Sequence, residues 1–341
     1  MYLISPEKKQ YKANLHCHST LSDGRLTPEQ LKEIYKSHDY DILAITDHET
    51  PKSHYELSEP DFLMLTGYEC YIRRLPNCKY DRFAPEIHMN LFARRPDNET
   101  VICYNKAHCK YMDESLHEGL VKAGPQGDRE YSVENISEYI RIAKENGYLV
   151  AYNQPCWSME AEADVLAYEG YFSMEMCNYG AYLENRYEYN AALYDKMLCA
   201  GKRVFCHSAD DNHNKYPVGH PECDSCGAFT MILADELSYD SVIGAMETGE
   251  MYSSMGPRFH EVSLEGDQLH IECSDVVSVY VYYGSKKPSR IIAGKGETLT
   301  SADFTIDPKA RYVRVSIQDS QGRAADTRGY FRDELGLEPL L

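Results

Sequence analysis

Residues 13–18 read Ala-Asn-Leu-His-Cys-His and residues 41–48 read Asp-Ile-Leu-Ala-Ile-Thr-Asp-His, two short apolar runs that each end in imidazole. Apolar runs of this length predict strands, and side chains two apart on a strand leave the same face. His16 and His18 therefore emerge together. Asp23 follows in a Ser22-Asp23-Gly24 turn, and Thr27-Pro28-Glu29-Gln30 predicts a helix start with an N-cap, a proline in the first turn and a capping-box glutamine. The unit then recurs. The run at 62–68 leads into Glu69, the run at 87–92 contains His88, and further runs occupy 147–152, 172–177, 203–206 and 228–234. Asp211 and His213 follow the run at 203–206. Helical patterns at 132–146, 184–200 and 238–248 lie between the runs. Strand–helix alternation of this kind predicts parallel strands covered by helices, and about seven such units suit an α/β barrel. In a parallel barrel the carboxyl ends of the strands share one rim, so His16, His18, Asp23, His48, Glu69, His88, Asp211 and His213 would converge there.

The pattern changes after Met255-Gly256-Pro257. Alternating runs at 268–273, 276–283, 289–293 and 312–318, separated by Gly, Asp, Ser and Pro, predict a small antiparallel sandwich. A chain of 341 residues exceeds what one core usually organises. The expected division is a catalytic domain over 1–257, with 93–131 as an insertion of weak periodicity, and a β-sandwich domain over 258–341.

Composition narrows the function. A hydrophobic fraction of 43% and a charged fraction of 26% are those of a globular protein. Acidic residues outnumber basic ones 54 to 35, a net charge of −19, which argues against a nucleic-acid polymer or an anionic membrane as partner. Residues 1–11 are too polar for a signal peptide and no apolar run reaches membrane-spanning length, so the expectation is a cytoplasmic protein with its 12 cysteines reduced. Cys223 and Cys226 form the one close pair, at most half a zinc site. The sequence is silent on oligomeric state.

Imidazole and carboxylate together are the ligand set of Zn, Mn or Fe, and eight such residues exceed what one ion uses. Two or three divalent ions sharing a bridging carboxylate, Glu69, would use them all. Taken singly, each residue has an ordinary reading. A histidine at a strand end commonly bonds to backbone, and Asp-Gly is usually a turn. Packing does not explain their repeated placement at the ends of apolar strands, where half-burying a charge costs energy.

As an ordered set, His16-Cys17-His18, Ser22-Asp23-Gly24, Thr46-Asp47-His48, Gly67-Tyr68-Glu69, His88 and Asp211-Asn212-His213 resemble the metal motifs of the PHP (polymerase and histidinol phosphatase) superfamily, over roughly residues 11–257. The resemblance is to its stand-alone metal-dependent phosphoesterases with a C-terminal β-domain. It implies a distorted seven-stranded (β/α) barrel of PHP type. It also implies one ion on His16, His18, Glu69 and Asp211, and a second on Asp23, His48 and His213. A third would share Glu69 with His88 and a histidine of an Asn-His-Pro turn. This chain has Asn153-Gln154-Pro155 there. An amide oxygen is a poorer ligand for a borderline ion than imidazole, so the third site is expected to be weak, empty or filled by Mg²⁺, with Gln154 either a weak ligand or a turn residue.

The implied activity is hydrolysis of a phosphate ester of a small molecule, a monoester or a nucleotide-like phosphate. Arg186 and Arg258 are the candidate phosphate clamps, with Lys215 weighed as a similar group or a surface cation. His207 is the candidate proton donor to the leaving group. Two other readings stay open: a metal-dependent hydrolase of a C–N bond, since metal-rich barrels host both chemistries, and a PHP-fold binding protein whose site has decayed.

Overall fold

In the computed structural model the described residues are 1–74, 80–112 and 114–338. The chain begins with β1 (Tyr2–Ile4), β2 (Lys9–Asn14), α1 (Pro28–Ser37), β3 (Ile42–Ile45), β4 (Leu63–Arg73) and β5 (Glu86–Ala93). Two short strands, β6 (Val101–Ile102) and β7 (Lys122–Ala123), pair with each other ahead of α2 (Val133–Glu145). Then come β8 (Tyr148–Asn153), α3 (Glu162–Ala167), β9 (Ser173–Asn178), α4 (Tyr179–Asn185) and α5 (Ala191–Cys199). They are followed by β10 (Phe205–Ala209), β11 (Phe229–Ala234), α6 (Tyr239–Thr248) and β12 (Met251–Ser254). The last stretch is all strand: β13 (Phe259–Glu265), β14 (Gln268–Val276), β15 (Ser278–Tyr282), β16 (Ser289–Ile292), β17 (Leu299–Thr305), β18 (Tyr312–Gln318), β19 (Ala324–Thr327) and β20 (Tyr330–Phe331).

Helix starts follow the local chemistry. Thr27 accepts from the Gln30 amide while the Gln30 side chain reaches back to the Thr27 amide, closing the capping box of α1. Ser132 and Ser238 cap α2 and α6 in the same way. The helix expected over 184–200 is two helices. Arg186 ends α4 in the left-handed region at φ 67°, and Glu188 turns inward to accept the backbone N–H groups of Cys156 (3.1 Å) and Trp157 (2.7 Å). A buried carboxylate satisfied by two amides holds the break open.

The fold is mixed α/β around one large sheet, whose order is β10-β9-β8-β5-β4-β3-β2-β11-β12-β19-β18-β15-β16. The closed parallel barrel expected from strand–helix alternation differs from this sheet in two respects. Strand direction is mixed: β2–β3–β4 and β8–β9–β10 run parallel, whereas β4–β5, β5–β8 and β2–β11 are antiparallel. Among the described residues the ladder also does not close. β10 lies beside β11, and the contact is made by the Thr230 hydroxyl, which accepts from the Ser208 amide (3.1 Å) and donates to its carbonyl (2.8 Å).

The C-terminal strands continue this sheet through β12–β19, and a second sheet, β1-β13-β14-β17, recruits the first strand of the chain. One apolar cluster includes Leu3, Tyr35, Tyr252, Phe259, Val313 and Ile317. Arg314, wholly buried, links the C-terminal strands to α5 by pairing with Asp195 (2.7 Å) as well as Asp326 (2.6 Å). The described cysteines are free of disulfides, and Cys78 lies outside the described residues.

Candidate metal centre

The strand β2 stops at Asn14, four residues short of the end expected from the sequence, and His16-Cys17-His18 runs on beyond it. Backbone hydrogen bonds hold this extension from both sides. The His18 amide donates to Asn212 O (3.0 Å), Asp211 donates to His16 O (2.9 Å), and Thr46 donates to Cys17 O (2.8 Å). Three segments far apart in sequence are thereby laced together. Asp47, between the ligand-bearing strand and His48, accepts from the Ser19 amide (2.7 Å) and the Ser19 hydroxyl (2.6 Å), which fixes the turn carrying Asp23. Gly24 closes that turn where a Cβ would stand 2.1 Å from the His18 carbonyl oxygen, so only glycine fits.

Glu69 sits at the centre of the cluster. Its Oε1 is 3.2 Å from His16 Nε2 and 3.0 Å from His88 Nδ1, while Oε2 is 3.5 Å from His18 Nε2 and 3.0 Å from His48 Nδ1. The Nε2 atoms of His16 and His18 are 3.3 Å apart and lie 3.1 and 3.0 Å from the same oxygen, Asp211 Oδ1. Asp23 faces the other flank, with Oδ1 3.4 Å from His213 Nε2 and Oδ2 3.6 Å from His48 Nε2. All eight residues singled out in the sequence come together.

Within the cluster, three sets offer ligand atoms within 4.8 Å of one another: His16–His18–Glu69, His18–Asp23–His48–His213 and His48–Glu69–His88. Asp23 Oδ1, His48 Nδ1 and Asp211 Oδ1 are buried without a hydrogen-bond partner. An orphaned buried polar atom costs about 1–3 kcal/mol, and three together at one point are what a divalent ion would satisfy. The donor set fits such an ion.

The electrostatics agree. Burial alone would lower His16, but the carboxylates of Asp211, Glu69 and Glu175 outweigh it and raise the imidazole well above its ordinary value. Burial alone would raise Glu69, but His16, His88 and His48 hold it well below the usual carboxylate range. His88, buried between Glu69 and Glu86, is pushed up to about 10, and His213, half-buried beside Asp23, to about 9. Burial, reinforced by His213 and His48, lowers His18.

Glu175 escaped the sequence reading. It is wholly buried on β9, and its Oε1 meets His16 Nδ1 at 2.8 Å while Oε2 accepts from the Gln154 amide (2.8 Å) and Asn178 Nδ2 (3.0 Å). A carboxylate on the far nitrogen of a ligating histidine fixes its tautomer and ring orientation. Gln154 lines the cavity at φ 36°, and its side-chain oxygen accepts from Asn178 Nδ2 (3.1 Å). Asn153 donates to Glu69 Oε1 (2.9 Å). Asp224, flanked by Cys223 and Cys226, anchors His213 by accepting its amide (2.8 Å).

The cluster floors a cavity of about 850 Å³. The expected clamps and proton donor are elsewhere. Arg186 is exposed at the end of α4 and off the cavity wall. Arg258 is exposed at the start of β13, its amide bonded to Ser274, also off the wall. His207 is wholly buried behind Glu175, bonded to Ser173 (2.9 Å) and pushed down to about 3 by burial, so it neither lines the cavity nor carries a proton at neutral pH. Lys215 does line the cavity, with Arg73, Lys110, Tyr111 and Trp157. Arg73 was legible in principle: Glu69, Tyr71 and Arg73 share one face of β4, opposite Asn90, His88 and Glu86 of β5. Its guanidinium pairs with Glu86 and covers the Tyr71 ring at 4.1 Å.

Residues 14–154 match the family model described as PHP domain. No curated protein matches the chain. Among solved structures, a two-domain protein from Bacteroides vulgatus, containing a predicted PHP-like metal-dependent phosphoesterase, is similar at 12% identity. That alignment covers 93% of this chain and 92% of that one, with a TM-score of 0.44. An amidohydrolase from Chromobacterium violaceum with bound sulfate and no metal aligns at 16% identity over 62% of this chain and 93% of its own, with a TM-score of 0.41. Among the described residues no helix is long and apolar enough to cross a membrane.

Proposed function

We propose that this chain, whose residues 14–154 are a PHP domain, is a metal-dependent phosphoesterase that hydrolyses a phosphate ester of a small molecule. The observation that carries the reading is the convergence of orphaned ligand atoms of Asp23, His48 and Asp211 with His16, His18, Glu69 and His213 on the floor of an open cavity. His16, His18, Glu69 and Asp211 would hold one divalent ion and Asp23, His48 and His213 a second, with Glu69 shared. His88 faces Glu69 and would be left with few partners for a third ion, since His48 serves the second and the Gln154 amide oxygen is engaged by Asn178. Zn, Mn or Fe suits the imidazole-rich pair of sites and Mg the weaker third. Such ions supply Lewis acidity that brings a water near neutrality as nucleophile and offsets charge on phosphate oxygens.

The chain's own groups do the rest. Glu175 holds His16 in the tautomer that presents Nε2 to the cluster. Arg73, braced by Glu86, and Lys110 and Lys215 give the cavity wall the cations that orient an anionic ester. A net charge of −19 disfavours a polyanion, so the ester these three cations would orient is a small one. The accompanying fold reading is a distorted PHP-type (β/α) barrel over 1–257 followed by a β-sandwich over 258–341, of which 339–341 lie outside the described residues.

Elemental analysis of the purified protein, followed by p-nitrophenyl phosphate and bis-p-nitrophenyl phosphate assays with Mn²⁺, Zn²⁺, Fe²⁺ and Mg²⁺, tests the reading. The expected result is chelator-sensitive turnover that disappears, together with bound metal, in His18→Ala. Metal-loaded protein inert toward both esters and toward a panel of phosphorylated metabolites would refute it. Monoester against diester turnover names the subclass.

A further inference from the structure

We infer that Tyr111, delivered by the segment between β5 and α2, is a positioning residue of the second ion site: its hydroxyl pins one oxygen of Asp23 and leaves the other for the ion. The inference rests on the metal-site reading above. Tyr111 donates to Asp23 Oδ2 at 3.0 Å. The companion atom, Asp23 Oδ1, is buried without a hydrogen-bond partner, 3.4 Å from His213 Nε2 and 3.7 Å from His18 Nδ1. Oδ2 is thus held by the tyrosine hydroxyl at the edge of the cluster, 3.6 Å from His48 Nε2, while Oδ1 faces His213 and His18 with no donor of its own.

Asp23 needs such help. It sits in a turn with its side chain one-third exposed (33%), so packing does not lock its rotamer as it locks the wholly buried His16 and His18. A donor on one oxygen removes that freedom and favours one-oxygen ligation by the other. The Tyr111 ring also lies nearly parallel to that of His48, at 6.0 Å and 17°, and Lys110 stands 4.6 Å over its outer side.

The segment that carries Tyr111 is itself fixed beside the centre. Arg129, its side chain 4% exposed, pairs through both terminal nitrogens with Glu49, the neighbour of His48, with Nη2 to Oε2 at 2.8 Å. It also donates to the carbonyls of Tyr71, Ile102 and Cys103, each at 3.1 Å. The contacts to Glu49 and Tyr71 fasten Arg129 to the loop that presents His48 and to β4, while those to Ile102 and Cys103 tie it to the start of its own segment. What reads in the sequence as an aperiodic insertion supplies part of the centre.

The test is Tyr111→Phe, which keeps the ring and removes the hydroxyl. Co²⁺ is titrated into the chelator-stripped full chain and followed by visible absorption and calorimetry. Wild type is expected to take two equivalents. The variant should bind the second about 10- to 100-fold more weakly with the first unchanged. Its melting temperature should be unchanged, and the absorption of the second ion altered as Asp23 rotates. Two equivalents bound as in wild type would overturn the inference and leave the phosphoesterase reading standing. Weakening of both equivalents with a lowered melting temperature would also overturn it, because the tyrosine would then serve only to hold the fold. A wild type that takes up no Co²⁺ would defeat the metal-site reading itself.

Discussion

Replacing Glu175 with Gln exchanges one carboxylate oxygen for an NH₂ group and should weaken the proposed metal centre without touching a candidate ligand. Glu175 is wholly buried, and among the described residues its carboxylate is hydrogen-bonded by donors: His16 Nδ1 at 2.8 Å, the Gln154 backbone amide at 2.8 Å and Asn178 Nδ2 at 3.0 Å. A glutamine cannot accept at both ends. If its amide oxygen faces His16, its NH₂ meets two other donors. If its NH₂ faces His16, Nδ1 must accept, the ring proton moves to Nε2, and the nitrogen aimed at Glu69 and Asp211 no longer carries a free lone pair. Either arrangement sacrifices charge-assisted hydrogen bonds. The loss expected for such an outer carboxylate is about 10- to 100-fold in metal affinity, or about 1.4–2.8 kcal/mol at tenfold per 1.4 kcal/mol. Competition of the chain against a chelator for Zn²⁺ measures it directly, and phosphatase activity at limiting metal should fall in parallel. Unchanged affinity and activity in a folded Glu175→Gln protein would show that His16 is oriented by other contacts, and the argument for Glu175 would fail.

Two further outcomes follow. Arg73→Ala should raise KM for a phosphate ester about 10- to 100-fold, the worth of a hydrogen bond to a charged group (about 1.5–3 kcal/mol), whereas Arg186→Ala and Arg258→Ala, off the cavity wall, should leave steady-state kinetics unchanged; the reverse pattern would restore the clamps expected from the sequence. Burial raises Glu160 above the usual carboxylate value although the hydroxyls of Tyr131, Tyr152 and Tyr168 donate to it, so its proton is held more tightly in the folded than in the unfolded chain. The stability this brings is complete below the unfolded carboxylate pKa and is lost as pH rises through the higher folded value. Glu160→Gln should therefore gain on wild type in melting temperature as pH rises above that carboxylate range, and a difference independent of pH would refute the assignment.

The ligand set was legible because it combines two local signals, apolar strand-length runs and polar residues just past them. Each of His16, His18, Asp23, His48, Glu69, His88, Asp211 and His213 could be found one run at a time, and the rule that strand ends meet anticipated their convergence, although Glu69 and His88 lie within β4 and β5 and His16 and His18 are buried beneath the cavity. Strand direction carries no local signal. The β4–β5 hairpin and the antiparallel β2–β11 pair are set by where the chain returns, which composition does not record. Glu175 looks in sequence like one polar residue inside an apolar run, and only its approach to His16 gives it a role. Arg186 failed for the opposite reason, since its chemistry suits phosphate but its place at the exposed end of α4 keeps it off the cavity wall.

Arg73, Glu175 and Tyr111 belong to one physical class. None is among the eight candidate ligands, and each contacts a partner beside or within the cluster: Glu86, His16 or Asp23. The candidate ligands sit where several segments converge, in the turns past β2, β3 and β10 or, for Glu69 and His88, on the paired β4 and β5. A residue that orients one ligand needs only to reach it, from any element that passes nearby. The spread of such residues over β4, β9 and an aperiodic segment is what that freedom predicts. It follows that further determinants of substrate choice should be sought among side chains contacting the eight ligands, and not among other strand-end motifs.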